Sequence, residues 1–441
     1  MTTMNKAPQT LKGFRDFLPE EKRKRDFVAA KIRQTFEAFG FEPIETPTLE
    51  YADLLLGKYG AEADKLVYTF EDRGGRRVGL RYDQTVPTAR VIAQNQNPDV
   101  LPTILRRYQI QNVFRADKPQ KGRYREFTQC DIDLFGSNFP TADAEILACT
   151  YQTYKNIGFK NIKVKINDRQ ILFDVINKSG ISEDKVFSVI QSLDKLDKKS
   201  IEEVQAELEK KGVSPDQFQT INNLLREAKP DDNLNNIIEI STKLGVSGEA
   251  IEFVPYLARG LDYYTGMIFE IIIPEFTAGS VGGGGRYDDL IETLCNIKIT
   301  AVGMAFGFDR TVEAADQLGL IPKEKSITSV FVTVLPDTMD ASFETARILR
   351  SNNINTELAP LYKENVNFDE VFNTPGFNNK EFANTLGKQL KYADKKGIPF
   401  VLIIGQEELS QNKLRLKDMG QGSENKGELL TMEEIIALLK S

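Results

Sequence analysis

The spacing of apolar residues changes several times along this chain, and those changes restrict the fold more than any other feature. Val28, Ile32, Phe36 and Phe39 recur at intervals of four, four and three, which predicts an amphipathic helix from Glu21 to Phe39 that ends at Gly40. The segment FEPIETP follows, and Pro43 and Pro47 confine it to an edge or interface strand. VYTFED and RVGLRYD alternate as strands do, on either side of a Gly74-Gly75 turn signal, and a helix is expected at about 84 to 95. RRYQIQNVFRADKPQKGRYREFTQCDIDLFG then reads as strand, basic loop, strand. From about 168 to 250 the period is helical and the composition rich in Lys and Glu. Strand character returns at MIFEIII, and VGMAFGFDR runs from a strand into a helix. From Ser326 strands alternate with helices, the mark of a separate α/β domain. The expected organisation is a strand-rich α+β domain in two parts, 1–167 and 251–325, a helical insertion at 168–250 between them, and the α/β domain at 326–441.

Several chemistries are excluded by composition. The 441 residues contain no histidine, so neither Ser-His-Asp or Cys-His catalysis nor a His-ligated zinc site is available. The three cysteines have no C-x-x-C spacing, which argues against a disulfide framework and fits a reducing cytoplasm. The first residues lack the apolar stretch of an export signal, and no run approaches the ~18 apolar residues of a membrane span. A net charge of −7 argues against a uniformly basic surface, so binding of polyanions would depend on local clusters.

One such cluster stands out. Arg115, Lys118, Lys121, Arg123 and Arg125 lie between two strands. They form either a solvated hairpin tip or a loop that aims several guanidinium forks at one polyphosphate or nucleic-acid backbone. The run GSVGGGGRYD fits neither the G-x-G-x-x-G nor the P-loop pattern; it either loosens a loop or lets backbone approach a ligand closely. ARGLDYYTGMIFE puts Arg259, Tyr263 and Tyr264 just ahead of an apolar strand. Lys413, Arg415 and Lys417 alternate on a strand, as one cationic face or as a solvated edge strand.

In order along the chain, the helix with its proline-bearing strand, FRADKPQKGRYREF and VGMAFGFDR resemble motifs 1, 2 and 3 of the class II aminoacyl-tRNA synthetases. RYDQT, ARGLDYYTGMIFE and GGGGRYD resemble the histidyl-tRNA synthetases in particular. That resemblance implies an antiparallel catalytic sheet flanked by helices, a C-terminal anticodon-binding domain and a homodimer assembled through motif 1. The implied reaction is ATP-dependent attachment of L-histidine to its tRNA through a histidyl-adenylate, with Mg2+ accompanying ATP. By motif match, Arg115 meets the α-phosphate and the substrate carboxylate, Arg259 approaches the α-phosphate from the other side, Arg123 and Arg125 meet ATP, and Arg310 holds the γ-phosphate. Asp83, Thr85 and Gln129 fall where the family binds the ammonium, Asp133 and Tyr264 where it meets the ring, Tyr263 lines the same pocket, and Gln120 falls where a tRNA 5′ guanosine is met. Asp83 and Asp133 depart from the glutamates common in bacterial members. The competing implication is a non-catalytic synthetase-like regulatory subunit of ATP phosphoribosyltransferase; such proteins usually lack the anticodon domain and have degraded motifs, whereas this chain keeps the domain and Arg115, Arg259 and Arg310.

Overall fold

The prolines of FEPIETP do place their strand at an edge. Among the described residues, β1 (Glu42–Pro43) pairs, in parallel, only with the strand that leads into the basic loop. The computed structural model describes residues 8–56, 65–119, 124–197, 199–258, 263–360, 386–422 and 424–440. They fall into two compact units, Met1–Ile321 and Pro322–Ser441.

In the first unit β2 (Leu49–Tyr51), β3 (Thr69–Glu71) and β4 (Arg77–Leu80) make a small antiparallel sheet, whose β3–β4 turn uses Gly75 at φ 74°. β5 (Leu105–Phe114), β6 (Glu126–Phe135), β7 (Lys163–Asp168), β8 (Ile251–Phe253), β9 (Met267–Ile272), β10 (Gly282–Arg286) and β11 (Ala301–Phe306) join β1 in an eight-stranded sheet of order β1-β5-β6-β11-β10-β9-β7-β8. Its pairings are antiparallel except β1 with β5 and β7 with β8.

One face of this sheet is covered by the helices Pro19–Ala38, Pro140–Ile157 and Phe308–Gln317. Val28, Ile32, Phe36, Tyr154 and Phe306 meet there in one core. The first helix opens on Pro19 with Glu20 and Glu21 in its first turn, which suits both the fixed φ of proline and the helix dipole. Helices Arg169–Lys178, Val186–Leu193, Ile201–Lys210 and Pro215–Glu227 build a core of their own around Leu172, Ile176, Val189, Leu193, Val204, Leu208 and Ile221. Ser200 and Ser214 start two of these helices with capping boxes. The next helix, Asp232–Lys243, instead sends Leu234 and Ile237 into the core of the large sheet.

The glycine run is the largest departure from the sequence reading of this unit. It is not a slack loop but β10, a central strand buried between β9 and β11, and its Gly282 and Gly283 line the cavity of the site. The neighbouring strands come too close for side chains: a Cβ on Gly284 would lie 2.0 Å from the Gly303 carbonyl oxygen, and one on Gly285 would lie 2.5 Å from that of Met267.

The second unit is a five-stranded mixed sheet. β12 (Val330–Val332), β13 (Thr356–Leu358), β14 (Phe400–Ile403), β15 (Leu414–Asp418) and β16 (Glu428–Leu430) lie in the order β13-β12-β14-β15-β16, with helices Met339–Ser351, Leu386–Lys396 and Met432–Lys440. β15 is interior, so the edge-strand reading of Lys413 to Lys417 does not hold. Nor do these residues present one cationic face: the Lys417 ammonium is buried and donates to the Asn425 carbonyl, while Arg415 Nε donates to Glu408 Oε1 at 2.8 Å. No helix among the described residues is long and apolar enough to cross a membrane.

Candidate active site

The site grows out of the β5–β6 ladder. Its antiparallel register sets Arg107 opposite Asp133, Gln109 opposite Asp131 and Gln111 opposite Gln129. Because side chains alternate along a strand, these residues project from one face of the sheet. Fully buried Arg107 places Nη2 2.5 Å from Asp133 Oδ2, and the Tyr287 hydroxyl donates to Asp133 Oδ1. Gln129 Nε2 donates to Asp131 Oδ2 at 2.7 Å, and Gln84 Nε2 donates to the carbonyls of Gln111 and Gln129 at 3.1 and 3.0 Å. The layer is therefore polar and cross-linked, with Arg107, Gln109, Asp131 and Asp133 buried in it.

A cavity of about 820 Å³ opens above this layer. Its wall brings together Asp83, Thr85, Arg115, Gln129, Asp133, Tyr263, Tyr264 and Arg310 from the sequence reading, and adds Asp131 and Tyr287. Asp83 lies just ahead of the Thr85–Gln94 helix and accepts the Val86 amide at 3.1 Å. The Arg115 guanidinium lies 5.1 Å from the Phe127 ring centroid and donates from Nε to the Tyr82 carbonyl at 3.0 Å, so its plane is fixed before any ligand arrives. Tyr263 and Tyr264 pack ring to ring at 4.6 Å, and Tyr263 meets Tyr287 at 5.7 Å. Arg310 sits in the first turn of the Phe308–Gln317 helix and donates to the Ser280 carbonyl at 3.0 Å, so a guanidinium and a helix N-terminus coincide.

Burial dominates the electrostatics. It pushes the Asp83 carboxyl up to about 6, against the amides of Val86 and Thr85 and the charges of Arg115 and Arg107. It pushes Asp131 up to about 8, with Arg107 drawing it back and Asp133 pushing it further. Asp133 is also raised by burial, opposed by Arg107 and by the Tyr287 hydrogen bond. A pocket of buried carboxyls with raised values favours a ligand that brings positive charge or N–H donors.

Not every expected residue belongs to this wall. Arg125 is directed elsewhere: its guanidinium donates to the carbonyls of Asp117 at 2.9 Å and Lys12 at 3.4 Å, and its amide donates to the Gly13 carbonyl at 2.9 Å, so it ties down the base of the basic loop. Gln120, Arg123 and Arg259 lie outside the described residues. The sequence reading missed Arg107, Asp131 and Tyr287. Arg107 and Asp131 carried a signal in the alternation of polar residues at 107, 109, 111 and at 129, 131, 133, which marks two strands that each present a polar face; Tyr287 carried no such pattern. Arg286, in the same signature as Tyr287, is structural: it pairs with Asp143 and donates to the Ser137 carbonyl at 3.0 Å, anchoring the end of β10 to the Pro140–Ile157 helix.

A catalytic sheet with a polar pocket, arginines at its rim and a second α/β unit is the architecture of solved synthetases. The crystal structure of histidyl-tRNA synthetase from Nostoc sp. PCC 7120 superposes with a TM-score of 0.82 at 28% identity, covering 98% of each chain. The structure of an ATP phosphoribosyltransferase regulatory subunit/histidyl-tRNA synthetase from Bacillus halodurans shares the fold, with a TM-score of 0.69 at 22% identity over 84% of this chain and 96% of that one. The histidine–tRNA ligase of Gloeobacter violaceus is 37% identical, the match covering 97% of this chain and 98% of that protein. Residues 13–311 match the histidyl-tRNA synthetase family model and residues 378–441 an anticodon-binding domain. The chain belongs to the histidyl-tRNA synthetase family.

Proposed function

We propose that the protein is a histidine–tRNA ligase: it activates L-histidine with ATP and transfers the histidyl group to its tRNA. The observation that carries this reading is the carboxyl and amide layer of Asp83, Gln129, Asp131 and Asp133, the last two buried, joined in one cavity to Arg115 and Arg310. The first half suits an amino acid rich in N–H groups and the second suits a polyphosphate. Near full-length similarity to histidine–tRNA ligases and the anticodon-binding match favour this reading over a regulatory subunit.

In this mechanism Arg115, its plane fixed by Phe127 and Tyr82, holds the substrate carboxylate against the α-phosphate of ATP. The carboxylate oxygen attacks phosphorus in line, the bond to the bridging oxygen breaks, and pyrophosphate leaves with its negative charge met by Arg310 and the helix N-terminus. Arg259, and Arg123 of the basic loop, supply further positive charge in the transition state. Mg2+ enters as part of the MgATP substrate. Asp83, Thr85 and Gln129 take the ammonium, and Asp133 and Tyr264 take the ring; Arg107 and Tyr287 hold the Asp133 carboxylate in one orientation. Neither step needs an imidazole on the protein. Gln120 meets the tRNA acceptor end. The enzyme works in the cytoplasm as a homodimer buried along the motif 1 helix and β1.

Pyrophosphate exchange into ATP tests the reading. Exchange should require histidine, and Arg259→Ala should slow it about a hundredfold or more, as loss of a transition-state charge partner does. Exchange driven equally by other amino acids, or absent altogether, would overturn the assignment.

A further inference from the structure

Asp131 has no role among those carried over by family resemblance, yet it lines the cavity between Gln129 and Asp133 on the same face of β6. Its side chain differs from that of Asp133 in one respect. Asp133 has both oxygens engaged, Oδ1 by a hydrogen bond from the Tyr287 hydroxyl and Oδ2 by the Arg107 ion pair alone. Asp131 has only Oδ2 engaged, by Gln129 Nε2 at 2.7 Å, and no donor among the described residues reaches Oδ1. The residue is 3% exposed, so bulk water does not serve that oxygen either.

A buried carboxylate oxygen without a donor is strongly disfavoured unless a ligand completes it. The same hydrogen bond settles the Gln129 amide: with Nε2 given to Asp131, Oε1 is left as an acceptor, and it too is buried with no donor among the described residues. Two unmet acceptors, one of them on a carboxyl, thus belong to adjacent positions on one strand face. Across the cavity wall, Asp83 carries a third carboxyl. An α-ammonium offers three N–H donors and a full positive charge, which matches three acceptors; a single ring N–H matches one.

We infer that Asp131 is a specificity-determining residue that binds the α-ammonium of the amino acid through Oδ1 and orients Gln129 to bind it alongside. The inference rests on histidine being the substrate. Asp133 keeps its place toward the ring, since a carboxylate oxygen accepts more than one hydrogen bond. Asp131 is then the group that separates amino acids from their deaminated analogues.

Histidine-dependent pyrophosphate exchange by the full-length protein tests this with two variants, Asp131→Asn and Asp131→Ser, either of which suffices if the other does not fold. The KM for histidine should rise about tenfold or more in each, and the KM for ATP should stay within about twofold. Two competitive inhibitors separate the donors. Histidinol keeps the ammonium and ring, so its inhibition constant should rise in parallel with the histidine KM. Imidazolepropionate keeps the ring and carboxylate without the ammonium, so its constant should not move. A histidine KM within about twofold of the parent, or imidazolepropionate weakened as much as histidinol, would overturn the assignment while leaving the proposed function intact. Exchange by the unsubstituted protein that ignores histidine would instead sink the proposed function itself.

Discussion

At the scale of single residues, the site is a set of close fits with little tolerance. Gly303 on β11 faces Asp133 in the ladder, and a Cβ built on it would lie 1.8 Å from Asp133 Oδ1 and 2.8 Å from the Ile132 carbonyl oxygen. Gly303→Ala must therefore push Asp133 off Tyr287 and Arg107 or force the strands apart. We expect it to destabilise the protein by about 2 kcal/mol or more and to raise the histidine KM, checked by denaturant unfolding and by exchange kinetics. A variant of unchanged stability and KM would show that the Asp133 position is not constrained by this strand.

The buried carboxyls also set a pH dependence. Asp131 is raised to about 8 and Asp83 to about 6, so over the range between the ordinary carboxylate value and these the folded protein holds protons that the unfolded chain has lost. Their contribution is present at the acid end and is lost as the pH rises through about 6 and then about 8. The groups that share the space with Asp131 are Arg107, Asp133, Asp83 and Gln129. Replacing Asp131 with Asn removes one of these titrations. The Asn variant should gain stability relative to the parent between about pH 6 and pH 8, read as the difference in urea midpoints without substrate. Parallel profiles for the two proteins would sink this account.

At the scale of elements, the segment before the first helix acts as a strap. The Arg15 guanidinium lies 3.3 Å from the centroid of the Tyr124 ring, at the end of the basic loop, and donates to Asp309 at 3.0 Å, beside Arg310. Arg25, from the Pro19–Ala38 helix, reaches Asp309 as well and donates to Thr128 at 2.9 Å. Two arginines thus fix the base of the loop and the start of the Arg310 helix in common. Arg15→Ala should raise the KM for ATP about threefold or more and leave the KM for histidine unchanged. An equal rise in both would point to general unfolding of the site.

Much of this element-level organisation was legible from periodicity. The first helix, the turn at Gly74-Gly75, the strand pair around the basic loop, and the strand running into the Arg310 helix all lie within a few residues of where the spacing predicts them. Periodicity does not reveal what close backbone packing decides. A run of four glycines carries no side-chain pattern, so the central strand β10 read as a loop. Long-range pairing is equally silent: nothing local to Arg107 announces that it is fully buried against Asp133, and nothing near Arg15 announces Asp309. Arg125 matched by motif, but it donates to the Asp117 carbonyl within its own loop and to that of Lys12, more than a hundred residues away in the chain.

At the scale of the whole molecule, the division between units separates two kinds of work. Every described residue that lines the cavity lies in Met1–Ile321, and so do the hydrophobic cores around Phe36, Ile268 and Val189. Pro322–Ser441 has apolar clusters of its own around Val332 and Leu402 on one side of its sheet and Phe331 and Val401 on the other. Among the described residues these cores draw their apolar side chains from one unit each, which gives each the means to fold alone. The anticodon-binding match falls wholly in the second unit. A fragment ending at Ile321 should therefore retain histidine-dependent pyrophosphate exchange within about tenfold of the full protein, since the activating groups remain in place. Its aminoacylation of tRNA should fall much further, and the salt dependence of tRNA binding should become shallower as phosphate contacts are removed. The comparison of the two activities in one preparation is the measurement that matters. If exchange and aminoacylation fall together while the fragment stays folded by circular dichroism, adenylate formation needs the second unit and this separation of labour is wrong.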